Sequence, residues 1–286
     1  MRALYHQFYS SSVRREKNEL LAESFFLSTR GEAVGSLRVD VSSFKIGEAR
    51  WDIYRSPDGR LNGGRSLPEI EGMVAYFEDV RQILRTVGDQ GGGLPRELIA
   101  ECIKAIIQAE TYVFRERGFS TTRDYDEHWN RMYLNGCRYY SHLDRVTLSW
   151  FDYVGDPGRQ GCLFNRCKSC AVHRMLDGTM VASGSFSDTF HELGVSLLLT
   201  GSGVVTAVSG NFLRPPDPVC VECEQRLMGL PGKNLARLGR KETAAMLGGA
   251  EGCLHLLDLV NDLCRAAAVA VEELARPADP QPSPLQ

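Results

Sequence analysis

Apolar and polar positions alternate in short runs through residues 23–56. Phe25-Phe26-Leu27, Ser36-Leu37-Arg38-Val39-Asp40-Val41 and residues 49–54 are β-rich stretches, with Gly31 and Gly47 near the turns. Pro57-Asp58-Gly59 is a turn signal. The spacing then becomes helical, and one helix is expected over about 68–85. A second starts near Pro95, whose fixed φ suits the first helical position, and runs to about 117. Its apolar positions Leu98, Ile99, Ile103, Ile106 and Ile107 recur with a 3.6-residue period. The first 20 residues read as a lead-in helix or arm.

The same order returns later in the chain. Residues 175–187, 191–200 and 204–213 are strand-like, and Gly201-Ser202-Gly203 reads as the hairpin turn between the last two. Short helices are expected over about 220–228 and 241–246. A long one runs from Cys253 to about 274, with Leu256, Val260, Leu263 and Ala267 on one stripe. Overlaying the two segments places Gly88, Gly92 and Leu94 on Gly248, Gly252 and Leu254. Gly93 then stands for Cys253, and Pro95 for His255. The pattern predicts an α+β protein of two tandem related lobes, each a small antiparallel sheet with helices packed on one face. The expected division is an N-terminal arm (1–22), a degenerate first lobe (23–118), a connector (119–161), a Cys-rich second lobe (162–275) and a disordered tail (276–286) with four prolines. The connector holds Tyr125, Trp129, Tyr133, Tyr139, Tyr140, Trp150, Phe151 and Tyr153, too many aromatics for a flexible linker.

Composition narrows the function classes. With 286 residues, 43% hydrophobic and 24% charged, the chain suits one or two folded domains. A net charge of -3 and a pI near 6.1 carry no nucleic-acid footprint. Arg14, Arg15 and Lys17 are interrupted by Glu16 and Glu19 and read as a solvated face. No apolar run reaches the ~20 residues of a membrane span, and the start has no apolar core of signal-peptide type. The expected location is the cytoplasm, where nine cysteines point to metal binding or thiol chemistry and not to disulfides.

Four constellations could carry chemistry. Cys220-x-x-Cys223 follows a proline-stiffened approach, Pro215-Pro216-Asp217-Pro218, and its spacing lets two sulfurs reach one metal. Cys253 and His255 open the last helix behind Gly248, Gly249 and Gly252, where exposed amides favour a thiolate. Cys162-x4-Cys167-x2-Cys170 has the proximal spacing of a plant-type [2Fe–2S] ferredoxin, without its glycine- and serine-rich loop. Asp188-Thr189-Phe190-His191-Glu192 gathers polar ligand types at the head of a strand. Each has a plain alternative: two buried cysteines at a helix start, a packed histidine, a loop of reduced thiols, a solvated hairpin. Cys102, Cys137 and Cys264 stand alone, and Cys102 and Cys264 fall within helical patterns as core residues.

Residues 171–274 resemble a bacterial domain family of unknown function, DUF2889. The resemblance rests on Ser187-Asp188-Thr189-Phe190-His191-Glu192, the proline-rich approach to Cys220, and Leu247-Gly248-Gly249 with Gly252-Cys253-Leu254-His255-Leu256. It implies no activity. A more distant likeness is to the NifU/IscU-type iron–sulfur scaffold domain, through two strands, Cys220 or Cys223, Gly232-Lys233 and Cys253. That family's first cysteine falls near residues 190–192, where this chain has none, and its final histidine is displaced to His255.

The expectation is a metal- or iron–sulfur-binding accessory protein that works with a protein partner and with neither nucleic acid nor membrane. Cys220, Cys223 and Cys253 would be its thiolate ligands, with His255 or His191 as imidazole ligands and Cys162, Cys167 and Cys170 as further candidates. Such ligands suit zinc, iron or a small iron–sulfur cluster. One rival is a hydrolase or transferase with Cys253 as nucleophile. Another is an assembly subunit with a structural zinc.

Overall fold

The computed structural model describes residues 1–57, 59–155 and 157–276. Asp58, within the expected turn, and residues 277–286, nearly all of the expected disordered tail, lie outside the described residues.

Nine antiparallel strands form one continuous sheet. The first half of the chain supplies β1 (Arg2–Glu16), β2 (Glu19–Ser28), β3 (Glu32–Asp40), β4 (Ile46–Arg55) and β5 (Gly63–Ser66). Two helices follow, α1 (Val80–Gly91) and α2 (Gly93–Ala109). The connector holds α3 (Thr122–Met132), α4 (Arg138–Ser141) and α5 (Trp150–Val154). The second half supplies β6 (Cys162–Arg174), β7 (Met180–Asp188), β8 (Glu192–Leu199) and β9 (Val205–Arg214), then a 3-10 segment Pro218–Gly229, α6 (Arg240–Leu247) and α7 (Leu254–Ala275). The strand order is β5-β4-β3-β2-β1-β6-β7-β8-β9.

Two expectations are corrected here. The first 20 residues are not a helix or arm: β1 is the middle strand, paired with β2 on one side and β6 on the other. Nor are there two small sheets, because the β1–β6 ladder from Arg2↔Arg174 to Arg14↔Cys162 fuses them. The expected first helix also starts late, as a 3-10 turn at Pro68–Ile70 and then α1.

α2 and α7 lie on one face of the sheet, over its centre. Inward positions alternate along β1 as Tyr5, Gln7, Tyr9, Ser11 and Val13, all buried. α2 buries Leu98, Ile99, Ile103 and Ile106, and α7 buries Leu256, Leu259, Val260 and Leu263. Each helix caps its own apolar cluster.

Charge fills the seam between the two clusters. Lys168 on β6 is 2% exposed and reaches Glu101 on α2 at 3.2 Å, and Asp258 and Asp262 on α7 at 3.1 and 2.9 Å. Lys104 ties Glu101 to Asp258 across the helices at 2.9 and 3.0 Å. Arg166, also on β6, bonds Asp188 at 3.1 Å. Buried charges of this kind persist only when paired, so the network fixes the spacing of the two helices.

Candidate thiol site and its cleft

Four cysteines meet at one place: Cys137, Cys220, Cys223 and Cys253. They share the wall of a cleft of about 600 Å³. Every pair among them is close enough for one thiolate to disfavour ionisation of the other. All four are free thiols.

Local sequence explains how each is placed. Asp217 caps the 3-10 segment by accepting from the Val219 amide at 2.9 Å, with Pro218 in the first turn. The other Asp217 oxygen accepts from the amide and hydroxyl of Thr147, each at 2.7 Å, which draws the connector against the Cys220-x-x-Cys223 turn. Cys253 is the N-cap of α7, and its amide bonds the Leu247 carbonyl at 2.9 Å. That tight loop requires glycine at 252, where a Cβ would lie 2.1 Å from the Leu247 carbonyl oxygen. Cys137 is the N-cap of α4. Arg138 seals the arrangement: its amide bonds the Gly252 carbonyl at 2.9 Å, and its guanidinium bonds both Glu222 and Glu251. Arg145 also holds Glu222, and His142 holds Glu251 at 3.0 Å.

Burial pushes the Cys223 and Cys253 thiols up to about 12, and raises Cys137 and Cys220 as well. Amides of His255 and Leu256 act the other way on Cys253, as those of Tyr139 and Tyr140 do on Cys137. Burial wins, so the expected amide-held thiolate does not arise from helix starts alone. Four mutually repelling thiols become thiolates together only when a cation sits among them.

The histidines form a second group beside the first. Asp188, His191 and His255 place their ligand atoms within 4.8 Å of one another, and among the described residues no three of the thiols do so. Asp188 Oδ1 accepts from the amides of Phe190 and His191 at 2.8 Å each, and from Nδ1 of His191 at 3.1 Å. Its Oδ2 accepts from Arg166. Burial pushes the Asp188 carboxyl up, but His191 and Arg166 overcome this and hold it well below the usual carboxylate range. With its oxygens so committed, Asp188 orients His191 and is a poor metal ligand. The His255 ring lies 3.8 Å from that of His191, and its Nδ1 is 3.9 Å from the Cys253 sulfur. Burial, with His191 beside it, keeps His255 neutral. Arg214 secures the turn by bonding the carbonyls of Asp188 and Thr189 at 2.5 and 2.8 Å. Glu192 falls on β8, 3.9 Å from Arg214, and is not one of the three grouped ligand residues.

The structure thus joins Cys220, Cys223 and Cys253, and sets His191 and His255 beside them. It does not join Cys162, Cys167 and Cys170. These lie on β6, where Cys167 is exposed and Cys170 is buried on the opposite face. Cys162 is five residues from Cys167 along the strand, roughly 16 Å at the usual rise. Extended backbone therefore keeps the ferredoxin-like spacing from forming a site. Cys137, isolated in sequence, is the member that sequence reasoning missed. The only signal for it is its position in a connector too aromatic to be a linker. Cys102 and Cys264 are buried in the core as expected.

The chain is therefore an α+β protein built on a nine-stranded antiparallel sheet, with a thiol-lined cleft under its connector. Residues 170–269 match the family model described as a protein of unknown function (DUF2889), as the sequence resemblance implied. That segment holds Cys220, Cys223 and Cys253, while Cys137 comes from outside it. No curated protein matches the chain. The likeness to the iron–sulfur scaffold domain gains no support from these comparisons. Among the described residues no helix is long and apolar enough to cross a membrane.

Proposed function

We propose that this chain is a metal-binding accessory protein whose four thiols, Cys137, Cys220, Cys223 and Cys253, hold an iron–sulfur cluster. The observation that carries the reading is their convergence from three separate segments onto the wall of one cleft. A single zinc ion draws four sulfurs to about 3.8 Å of one another, given Zn–S bonds near 2.3 Å. In a cluster, iron and sulfide stand between the cysteines, so four sulfurs spread along one cleft wall can share it. Amides aimed at Cys137 and Cys253 suit ligands whose charge is shared with a cluster. The nucleophile reading of Cys253 is weaker, because a thiol raised to about 12 is protonated at neutral pH.

We also read the halves as related copies. Four long strands lead to two helices in each half, and the halves meet at the central β1–β6 pair. Only the second copy carries thiols at its helix junctions, and the connector completes its site. A partner protein that receives or supplies the cargo fits this arrangement, with the cytoplasm as its setting.

The test is anaerobic purification of the full chain, with iron, acid-labile sulfide and zinc measured per chain. Stoichiometric iron and sulfide with visible charge-transfer absorption is the expected result. One zinc per chain and no sulfide would replace the cluster with a structural ion. No metal under any preparation would overturn the site.

A further inference from the structure

We propose that His6 on β1 and His173 on β6 form a two-imidazole site for a divalent zinc-type ion, on the face of the sheet opposite α2 and α7. The proposal goes beyond the cluster reading and does not require it, because its ligands are neither the four thiols nor any residue lining their cleft.

The register of the central ladder builds the pair. Ala171 stands opposite His6, and Ala3 opposite His173. Each histidine therefore faces a small residue across the ladder, and the two rings meet on the diagonal. A register shift between Ala3 and Tyr5 adds a residue to β1 at this point, and a bulge of that kind raises the local twist and re-aims side chains. His6 falls between the buried Tyr5 and Gln7, and His173 follows the buried Val172, so alternation turns both rings to solvent. The main chain of His6 is held from β2's side as well. Its amide donates to Oγ1 of Thr29 at 2.9 Å, and its carbonyl accepts from the Thr29 amide at 2.9 Å.

The distance selects the ligand. The two Nε2 atoms lie 3.4 Å apart. That is long for a hydrogen bond, for which about 2.9–3.0 Å is usual. It is the edge that a tetrahedral zinc ion demands, since two Zn–N bonds near 2.0–2.1 Å separate their nitrogens by about 3.3–3.4 Å. The rings do not stack: their planes are inclined at 66°. Among the described residues no carboxylate bonds either ring, and the ladder's end rung pairs Arg2 with Arg174. These surroundings disfavour magnesium and calcium, which need oxygen ligands, and leave the ions that neutral imidazole holds. Two positions on the ion remain for water. An ion so bound links the two halves of the chain at the ladder that fuses them.

Titration of the nitrogen-labelled full chain with zinc chloride tests this, read by proton–nitrogen correlation spectra of the imidazoles. The expected result is that Nε2 of His6 and Nε2 of His173 shift together and saturate. His6→Gln and His173→Gln should each weaken that event at least about tenfold, since losing a ligand costs no less than losing a group that supports one. Cys223→Ser should leave it unchanged. No shift of these two nitrogens at saturating zinc, a response that survives both histidine variants, or its loss in Cys223→Ser would overturn the proposal. The spectra of the unaltered chain decide the matter even if a variant does not fold. Iron and sulfide measured on the same samples report the thiol site separately, so either reading can fail while the other stands.

Discussion

The amide of Arg138 bonds the carbonyl of Gly252 at 2.9 Å, and this one contact sets Cys137 beside Cys253. The two cysteines flank the contact on its two segments, each as an N-cap. The backbone of the connector therefore brings the fourth sulfur to three that the second half already holds.

It follows that Cys137→Ser should be as damaging to metal retention as Cys223→Ser. Each is expected to leave less than about a tenth of the iron found in the unaltered chain, because a buried site short of one thiolate loses charge balance. Cys162→Ser and Cys167→Ser, on the exposed positions of β6, should retain full iron. Iron and sulfide assays on the four variants, purified side by side, check this. Full iron in Cys137→Ser would remove that residue from the site.

The sequence was most legible where one face of an element is apolar. Alternation located β2, β3 and β4, and the 3.6-residue period located α2 and α7. It was least legible at the centre of the sheet. β1 carries Arg14-Arg15, which read as a solvated face, and a run of polar residues that hides its inward side, where Ser11 is 2% exposed and satisfied by Ser24 at 3.1 Å. β6 likewise carries Arg166 and Lys168, buried because acids from α2, α7 and the β7 end come to meet them. Those partners lie 20 to 90 residues away, roughly, so no local pattern records them. Cys137 was hidden for the same reason: its neighbours in sequence are tyrosines, and its neighbours in space are thiols.

Close packing of α2 on the sheet gives a stability prediction. A Cβ at Gly35 would lie 2.7 Å from the Leu98 Cβ, which sits on the helix and has little room to retreat. Gly35→Ala is expected to destabilise by about 1–3 kcal/mol through overpacking. Gly59→Ala, with open space around its Cβ position, tests a different cost, the strain of its positive φ. Denaturant unfolding of both variants measures the two effects separately. An unchanged midpoint for Gly35→Ala would mean that α2 does not ride this close to β3.

The charged seam predicts sensitivity to acid. Burial pushes Glu101 and Asp258 up, but Lys104 and Lys168 outweigh it and hold both carboxyls below their ordinary values. For a depressed carboxyl the unfolded chain binds more protons, so the stabilisation is complete above the unfolded pKa, near 4, and is lost as pH falls below it. Lys168→Met removes the shared cation but leaves Lys104 on Glu101 and Asp258 and Arg265 on Asp262, so it should cost about 1.5–3 kcal/mol at pH 7. The loss should shrink on going toward pH 3, where the carboxyls can protonate. Unfolding curves between pH 3 and 7 check both parts, and a pH-independent loss would show that packing, not charge, is what Lys168 supplies.

Asp126 predicts the opposite slope. Burial, with Asp152 nearby, raises its carboxyl to about 6, and its Oδ1 is buried without a hydrogen-bond partner. Here the folded chain holds its proton more tightly than the unfolded one, so this group favours folding most below about pH 4. Its contribution declines as pH rises through about 6, and above that the folded state carries a poorly solvated charge. Asp126→Asn keeps the shape and removes the charge. It should therefore raise the unfolding midpoint at pH 7, by an amount reduced by the half-exposed setting to about 1 kcal/mol or less. The gain should vanish below pH 4, where the native carboxyl is already neutral. A midpoint that falls at pH 7 would show that the carboxylate has a partner worth more than its burial costs.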